Sequence, residues 1–470
     1  MQSLKFEPAQ FKRQTLRLDG RPLAYYAVHG LTYVRRPVAA IQRLNVFVPA
    51  AYLQNKPVNG YDRTTAPIFM PNTVGGYLPG PADDPQNQTW PSNAKTIAYA
   101  LKRGYVVVAA GLRGRTTVDA NGHAVGHAPA FIVDMKAAIR YVRYNAGRIP
   151  GDVERIVTNG TSAGGATAAL SGAAGNVAYF DAALTALGAA PVRDDVFAVS
   201  AYCPIHNLQH ADMAYEWQFN GIDDWHRFKS TPVKNGRPRF TPVAGRLTST
   251  ERMLSRMLKT QFISYLNDLH LTTAAGTALT LDAAGNGPFR DAVAALIQES
   301  AQVALDHGTD VHKYAGLTVR DNRVTAVDLT SYLNSITRMK SVPAFDALDL
   351  SSPENNLFGD ANVNAKHFTV FSQKQAVVSG PLAAPQLVAA VDPVSQLLSG
   401  QTTVAKHWRI RHGAADRDTS FAIPLILATV LRQRGADVDL AFPWDVPHSG
   451  DYDLGALFSW IDARCLPTAK

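Results

Sequence analysis

A serine sits at Gly160-Thr161-Ser162-Ala163-Gly164-Gly165, where an apolar run containing Ile156 and Val157 gives way to an Ala-rich segment of good helix formers. A hydroxyl is a useful nucleophile only when the chain lifts it clear of its surroundings and a nearby base takes its proton. A strand, a sharp turn and a helix do the first. The turn forces its central residue to positive φ and presses strand against helix, so only small side chains fit on either side. It also aims the next amide, that of Ala163, at whatever Ser162 attacks. The bare GxSxG spacing occurs in structural glycine-rich turns as well; the strand–turn–helix setting is what makes Ser162 a candidate nucleophile.

The base, and the carboxylate that holds its tautomer, must come from elsewhere in the chain. In α/β-hydrolases they follow the serine in the order acid, then histidine, each on a loop after a late strand. Two loops fit. Of the 13 histidines, His448 is the one on the loop between the last strand pattern (DLAFPW) and the last helix pattern. The loop after HWRIRHG carries Asp416 and Asp418. Asp416 is read as the acid. Asp418 lies beside the start of a helix pattern and has helix capping as its alternative, and Asp445 is too close in sequence to His448 for triad geometry. Upstream, the Gly75-Gly76 pair after a short apolar strand is either a simple turn or a second N–H for an oxyanion.

These groups need a frame. Residues 14–50 read as antiparallel strands, with Asp19-Gly20 as a turn signal. From Asn93 the pattern alternates: a helix over 93–103, a buried strand over 104–110, a Gly- and His-containing loop over 111–130, a helix over 131–145, the serine strand and helix, and a strand over 194–202. It stops near 204 and resumes at Lys406 with a strand, a helix over 419–435, a strand over 437–442 and a helix over 454–464. Alternation of this kind predicts an α/β-hydrolase fold: a mostly parallel, doubly wound sheet flanked by helices, with catalytic groups beyond the carboxyl ends of the strands. Residues 1–203 and 394–470 form the core, and 204–393, rich in helical segments such as 248–270 and 291–305 and without a clear buried parallel strand, form a large inserted lid.

The totals exclude several classes. The chain has 470 residues, 46% hydrophobic and 18% charged, as a soluble globular protein does. The net charge of +8 comes without a long basic block; the Lys/Arg-rich stretch 226–259 lacks interleaved aromatic residues and reads as a solvated face, not a nucleic-acid surface. No run approaches the roughly 18 apolar residues of a membrane span. Two cysteines, Cys203 and Cys465, make no disulfide framework and read as buried thiols of a reducing compartment. With no apolar segment at the N-terminus, the expected location is cytoplasmic. His206 and His210, with Asp212 following, could face one another on a helix as metal ligands, but no third ligand stands at a suggestive spacing and a structural role is favoured.

Taken together these blocks resemble the bacterial tannases, serine esterases that cleave galloyl esters. GTSAGG is similar to their nucleophile segment, SAYCPI at 200–205 and ADMAYEW at 211–217 to the stretch leading into the lid, and MKSVPAFD at 339–346 with SPEN at 352–355 to the substrate-binding segment. RHGAADRDTSF and the Pro-His-Ser-Gly loop are similar to the acid and histidine segments, and the likeness is thinnest over 225–330. The resemblance implies Ser162, Asp416 and His448 as the triad and the amides of Gly76 and Ala163 as the oxyanion hole. It gives Lys340, Glu354 and Asp418 to the three ring hydroxyls of a galloyl group, with Ile205 and Pro353 against the ring faces. Two carboxylates and an ammonium can together accept from and donate to three adjacent hydroxyls. Secreted fungal tannases and feruloyl esterases carry, by the same resemblance, cysteines at the positions of Thr161 and Pro447; their absence sets this chain with the bacterial group.

The expectation is therefore hydrolysis of galloyl ester and depside bonds through an acyl-Ser162 intermediate, on small-molecule galloyl esters or gallotannins, without cofactor or metal. A feruloyl or other aromatic-acid esterase is the nearest alternative, and a catalytically silent binding protein of the same fold is the alternative of another class.

Overall fold

A run of three valines and two alanines cannot hold one polar face to water, and in the computed structural model every residue of it is buried in a sheet. The structure describes residues 2–231 and 239–466. Strands β1 (Lys12–Leu18), β2 (Arg21–Thr32), β3 (Arg43–Pro49), β4 (Pro67–Pro71), β5 (Val106–Ala110), β6 (Asp152–Thr161) and β7 (Ala198–Tyr202) join β12 (His407–Arg411) and β13 (Asp437–Ala441) in one sheet, ordered β1-β2-β3-β5-β4-β6-β7-β12-β13. From β5 to β13 all pairings are parallel. The first three strands are antiparallel, as the sequence suggested, and β1 alternates between exposed and half-buried residues as an edge strand with one wet face does.

Helices flank the sheet. Helix α1 (Ala94–Arg103) packs on α14 (Leu454–Cys465), whose Phe458 ring meets Phe69 of β4 edge to face at 5.7 Å. Helices α2 (Ala130–Tyr144), α3 (Ala163–Ala173), α12 (Pro393–Ser399) and α13 (Ala422–Gln433) pack in series, and α4 (Asp181–Leu187) leans on α2. The expected mostly parallel sheet flanked by helices is what forms.

Between β7 and β12 lie α5 (Leu208–Phe219), α6 (Ser249–Asp268), α7 (Pro288–Asp306), α8 (Leu329–Ile336), α9 (Pro353–Leu357), α10 (Val370–Gln375), α11 (Pro385–Ala390) and α12. This stretch also holds two antiparallel hairpins, β8 (Asp224–Thr231) with β9 (Arg239–Arg246) and β10 (Leu317–Arg320) with β11 (Arg323–Val327), neither joined to the main sheet. Trp217 of α5 packs against Phe262 of α6 and Phe289 of α7 at centroid distances of 5.3 and 5.6 Å, and this aromatic group is continuous with the core under the sheet. A capping box between Thr248 and Glu251 starts α6 where the Ser/Thr-x-x-Glu spacing places it. Among the described residues, no helix is long and apolar enough to cross a membrane.

Candidate active site

Strand β6 ends at Thr161 and α3 begins at Ala163, so Ser162 alone makes the turn, at φ 62° and ψ −124°. Asn72, just past β4, holds the two limbs together: its Nδ2 donates to the carbonyls of Asn159 and Gly164, each at 3.0 Å. The limbs are so close that a Cβ on Gly160 would stand 2.3 Å from the Gly164 oxygen and 2.5 Å from Asn72 Nδ2. Both obstacles are fixed by the fold. Gly160→Ala is therefore expected to destabilise the protein by about 1–3 kcal/mol, seen as a lowered Tm together with lost esterase activity; an unchanged Tm would mean that the elbow tolerates a methyl group.

The loops after the last two strands bring His448 and Asp416 to this serine. His448 Nε2 lies 2.9 Å from Ser162 Oγ, and His448 Nδ1 lies 2.8 Å from Asp416 Oδ2. Asp416 is fully buried, and burial alone would raise its pKa. His448 and His412 beside it, with the Asp418 amide donating to Oδ1 at 2.8 Å, lower it instead to about 2. The carboxylate is thus an acceptor only, so in the neutral imidazole Nδ1 carries the hydrogen and Nε2 is free to accept from the serine hydroxyl. For His448, burial pulls the pKa down, but the Asp416 charge wins and raises it well above the ordinary histidine value.

The histidine loop is anchored without covalent links. Asp451 accepts from Thr96 Oγ1 at 2.7 Å and Asn159 Nδ2 at 3.0 Å, and Asp453 accepts from Tyr202 at 2.6 Å and from Arg409. Gly450 is pressed on Thr161, the residue before Ser162: a Cβ there would sit 1.9 Å from Thr161 Oγ1. Cys203 is buried behind the imidazole, its Sγ 3.9 Å from His448 Nε2, and like buried Cys465 it is unpaired.

Ser162 opens into a cavity of about 360 Å³ that Gly76, Ala163, Ile205, Lys340, Pro353, Glu354 and Asp418 also line. Every residue proposed for the site from the sequence, apart from the acid and base behind the serine, borders this one space. Ala163 is the first residue of α3, where N–H groups lack helical partners. Gly76 has φ 53° and open space where a side chain would be. At the other end Lys340 Nζ pairs with Asp418 Oδ1 at 2.5 Å and lies 3.8 Å over the Phe345 ring. Burial would raise the Asp418 pKa, but Lys340 brings it below the usual value; for Glu354 burial prevails over Lys340 and Arg115 and the pKa is raised. The pocket therefore offers an ionised carboxylate, a more readily protonated one and an ammonium.

Helix α5 sets the spacing of that group. The Tyr215 hydroxyl accepts from the amides of Met339 and Lys340 at 2.9 and 3.1 Å and donates to the Arg417 carbonyl at 3.0 Å, tying the residues beside Lys340 and Asp418 to one atom. One turn earlier the Asp212 carboxylate accepts from the amides of Phe345 and Asp346 at 2.7 and 3.0 Å. Tyr215 and Asp212 were not read as site residues in the sequence, where Asp212 was noted only beside His206 and His210, and Asn72 and His412 did not stand out at all. The aromatic and acidic residues of ADMAYEW, three apart on one helix, were the available signal for the first two.

Other candidates go elsewhere. Asp445 pairs with Lys313 at 2.6 Å and with Tyr314. Asp418 does not cap a helix, since α13 starts only at Ala422. His206 precedes α5, because Asn207 takes φ 53° as its N-cap; its Nδ1 is 3.6 Å from Asp392, while His210 bonds to Asn207 at 2.7 Å and stacks on Tyr265, so the two share no ligand position. The basic stretch 226–259 forms the β8–β9 hairpin and the first half of α6, with 232–238 outside the described residues.

The BD-FAE family model matches residues 77–224. A tannase from Lactobacillus plantarum has 65% sequence identity and a TM-score of 0.98, with 98% of this chain and 100% of that chain covered. A tannin acyl hydrolase in complex with ethyl gallate has 65% identity and a TM-score of 0.95, covering 98% of this chain and 99% of that one. A tannase from Fusobacterium nucleatum has 42% identity and a TM-score of 0.92 over the same shares. A search of curated proteins found no match.

Proposed function

The chain belongs to the tannase family, and on that premise we propose that it hydrolyses galloyl esters by acyl transfer through Ser162. The observation that carries this reading is that Ser162 and the Lys340–Asp418–Glu354 group line one cavity. A galloyl ring with its three hydroxyls against that group points its carboxyl carbon toward the serine. The ring lies between Ile205 and Pro353, whose apolar surfaces suit its two faces.

Ser162 Oγ attacks the ester carbonyl while His448 Nε2 takes its proton, and Asp416 holds the imidazolium that forms. The amides of Ala163 and Gly76 bind the oxyanion. As the tetrahedral intermediate collapses, the alcohol or sugar leaves with the proton from His448. A water molecule then gives a proton to His448 and attacks the acyl carbon; Ser162 departs with that proton and gallate is released. Every proton has a donor and an acceptor among these side chains. Small galloyl esters and depsides are the partners this mechanism needs, and two unpaired thiols suit a reducing cytoplasm.

The ring hydroxyls supply the test. Methyl ferulate lacks three contiguous hydroxyls and leaves buried polar groups unmatched, so its kcat/KM is expected to be at least about 10²-fold below that of methyl gallate. Equal rates would favour the feruloyl esterase reading. Lys340→Met, Glu354→Gln and Asp418→Asn are each expected to lower kcat/KM for methyl gallate by about 10²-fold, while an ester without ring hydroxyls, 4-nitrophenyl acetate, changes by less than about threefold. Equal losses on both substrates would remove these residues from ring recognition. A serine-directed reagent that fails to label Ser162 would favour a catalytically silent protein.

A further inference from the structure

We propose that Arg115 is a positioning residue that ties the oxyanion glycine to the helix carrying Glu354, so that ring recognition and oxyanion binding share one support. The proposal rests on the roles given above to Gly76 and Glu354.

Arg115 lies on the loop between β5 and α2, outside the cavity lining. Its backbone N–H donates to the Tyr77 carbonyl at 2.8 Å and its Nε donates to the Gly76 carbonyl at 2.9 Å. Its Nη1 donates in another direction, to Asn356 Oδ1 at 2.9 Å, two residues beyond Glu354 on α9. One side chain thus holds both ends of the cavity wall.

The rest of the loop makes this arm stiff. Arg113 is buried, with Nε and Nη2 on Asp134 of α2 at 2.9 and 2.8 Å and Nη1 on the Val125 carbonyl at 2.9 Å. Gly114 is packed so tightly on the oxyanion turn that a Cβ would be 2.2 Å from the Leu78 carbonyl carbon. Further along, the Ala128 amide donates to the Leu357 carbonyl at 2.8 Å, and His127 Nδ1 is 2.6 Å from the Asn356 carbonyl. The loop therefore grips α9 through backbone and side chain alike, and the oxyanion turn through Arg115 alone among its side chains that bond to Gly76 in the described residues.

Gly76 needs such a hold. A glycine at positive φ has broad conformational freedom, and an oxyanion donor works only when its N–H is already aimed at the developing charge. Fixing the carbonyl of the same residue fixes its ψ. The planar guanidinium suits the task because its donors diverge at set angles and can serve two acceptors at once, whereas a lysine ammonium is a single point on a flexible stem.

Steady-state kinetics of Arg115→Ala, Arg115→Lys and Asn356→Ala on methyl gallate and 4-nitrophenyl acetate, with Tm measured in parallel, test the proposal. Arg115→Ala is expected to lower kcat on both substrates by about tenfold, less than the 10²–10³ lost when an oxyanion donor is removed outright. It is also expected to raise KM for methyl gallate alone by roughly fivefold, since ring contacts are misplaced but not deleted. Asn356→Ala cuts only the second arm, so only the methyl gallate KM rises. Arg115→Lys regains one of the two effects and not both. The proposal is overturned if Arg115→Ala leaves both parameters within twofold, if Asn356→Ala reproduces the kcat loss, or if the losses merely follow a fall in Tm equally on both substrates. Glu354→Gln in the same assays separates the layers: no rise in methyl gallate KM there would remove the ring-recognition reading, while a rise there with no effect of Arg115→Ala would remove the tie alone.

Discussion

Ser162→Ala is expected to lower kcat for methyl gallate by about six orders of magnitude, as loss of a triad serine does elsewhere, with Tm nearly unchanged and ethyl gallate still bound in calorimetry. The size follows from what remains. His448 and Asp416 stay hydrogen-bonded to each other, and the amides of Ala163 and Gly76 stay in place, but no atom is left to form the acyl bond. Only the acceleration of about 10³–10⁴ over water that binding and oxyanion contacts provide survives. The fold has little reason to change: the hydroxyl's described side-chain partner is His448, and the Ser162 backbone keeps its bonds to the Tyr202 carbonyl and the Ala166 and Ile205 amides. Turnover by this variant above that residue would remove Ser162 as the nucleophile.

Asp416→Asn is expected to cost about 10⁴-fold in kcat and, more tellingly, to move the pH profile. Asparagine has the same shape and can still accept from the Asp418 amide, but it presents an NH₂ group to His448 Nδ1. The imidazole then carries its hydrogen on Nε2, where it cannot accept from Ser162. The direction of the pH shift follows from the charges. With His448 as the base, catalysis requires its neutral form; burial lowers its pKa but Asp416 raises it further, so in the native protein kcat/KM is expected to rise with pH only above the ordinary histidine range. Without the carboxylate, burial is left as the main influence and lowers the pKa, so the acid limb of the residual activity moves to lower pH. A profile that keeps its acid limb in place would show that Asp416 does not set the base.

Much of this arrangement was legible from residue order. Ser162, Asp416 and His448 each follow a strand with a clear apolar pattern, and a loop after a strand in a parallel sheet can lead only to one edge. Element limits were less legible, for identifiable reasons. The strand read from Asp194 begins only at Ala198, because Asp194 is drawn into a buried ion pair with Lys136 and Arg140. The β8–β9 hairpin was hidden by its Lys and Arg content. The β10–β11 hairpin carried a signal, Asp321-Asn322, both residues at positive φ as a tight hairpin turn demands. Lys340 and Glu354 had no local pattern at all, and their part came from resemblance to known esterases. Arg115 and Tyr215 act through hydrogen bonds to residues more than a hundred positions away or on other loops, and no spacing rule reaches them.

On the proposed reading of the pocket, the pairing of Lys340 with Asp418 bears on how product would leave. Were these groups unmatched until substrate arrived, their desolvated charges would favour holding gallate as firmly as the ester, and the acid would be slow to depart. With the ion pair in place, each would regain the other as the ring withdraws. Net affinity would then be only the difference between two satisfied states, which would keep selectivity for the hydroxyl pattern while letting the site empty quickly. An enzyme that makes free gallate in quantity would gain from recognising its ring by exchange of partners, because tolerance of accumulating product would follow from the same contact proposed to select the substrate.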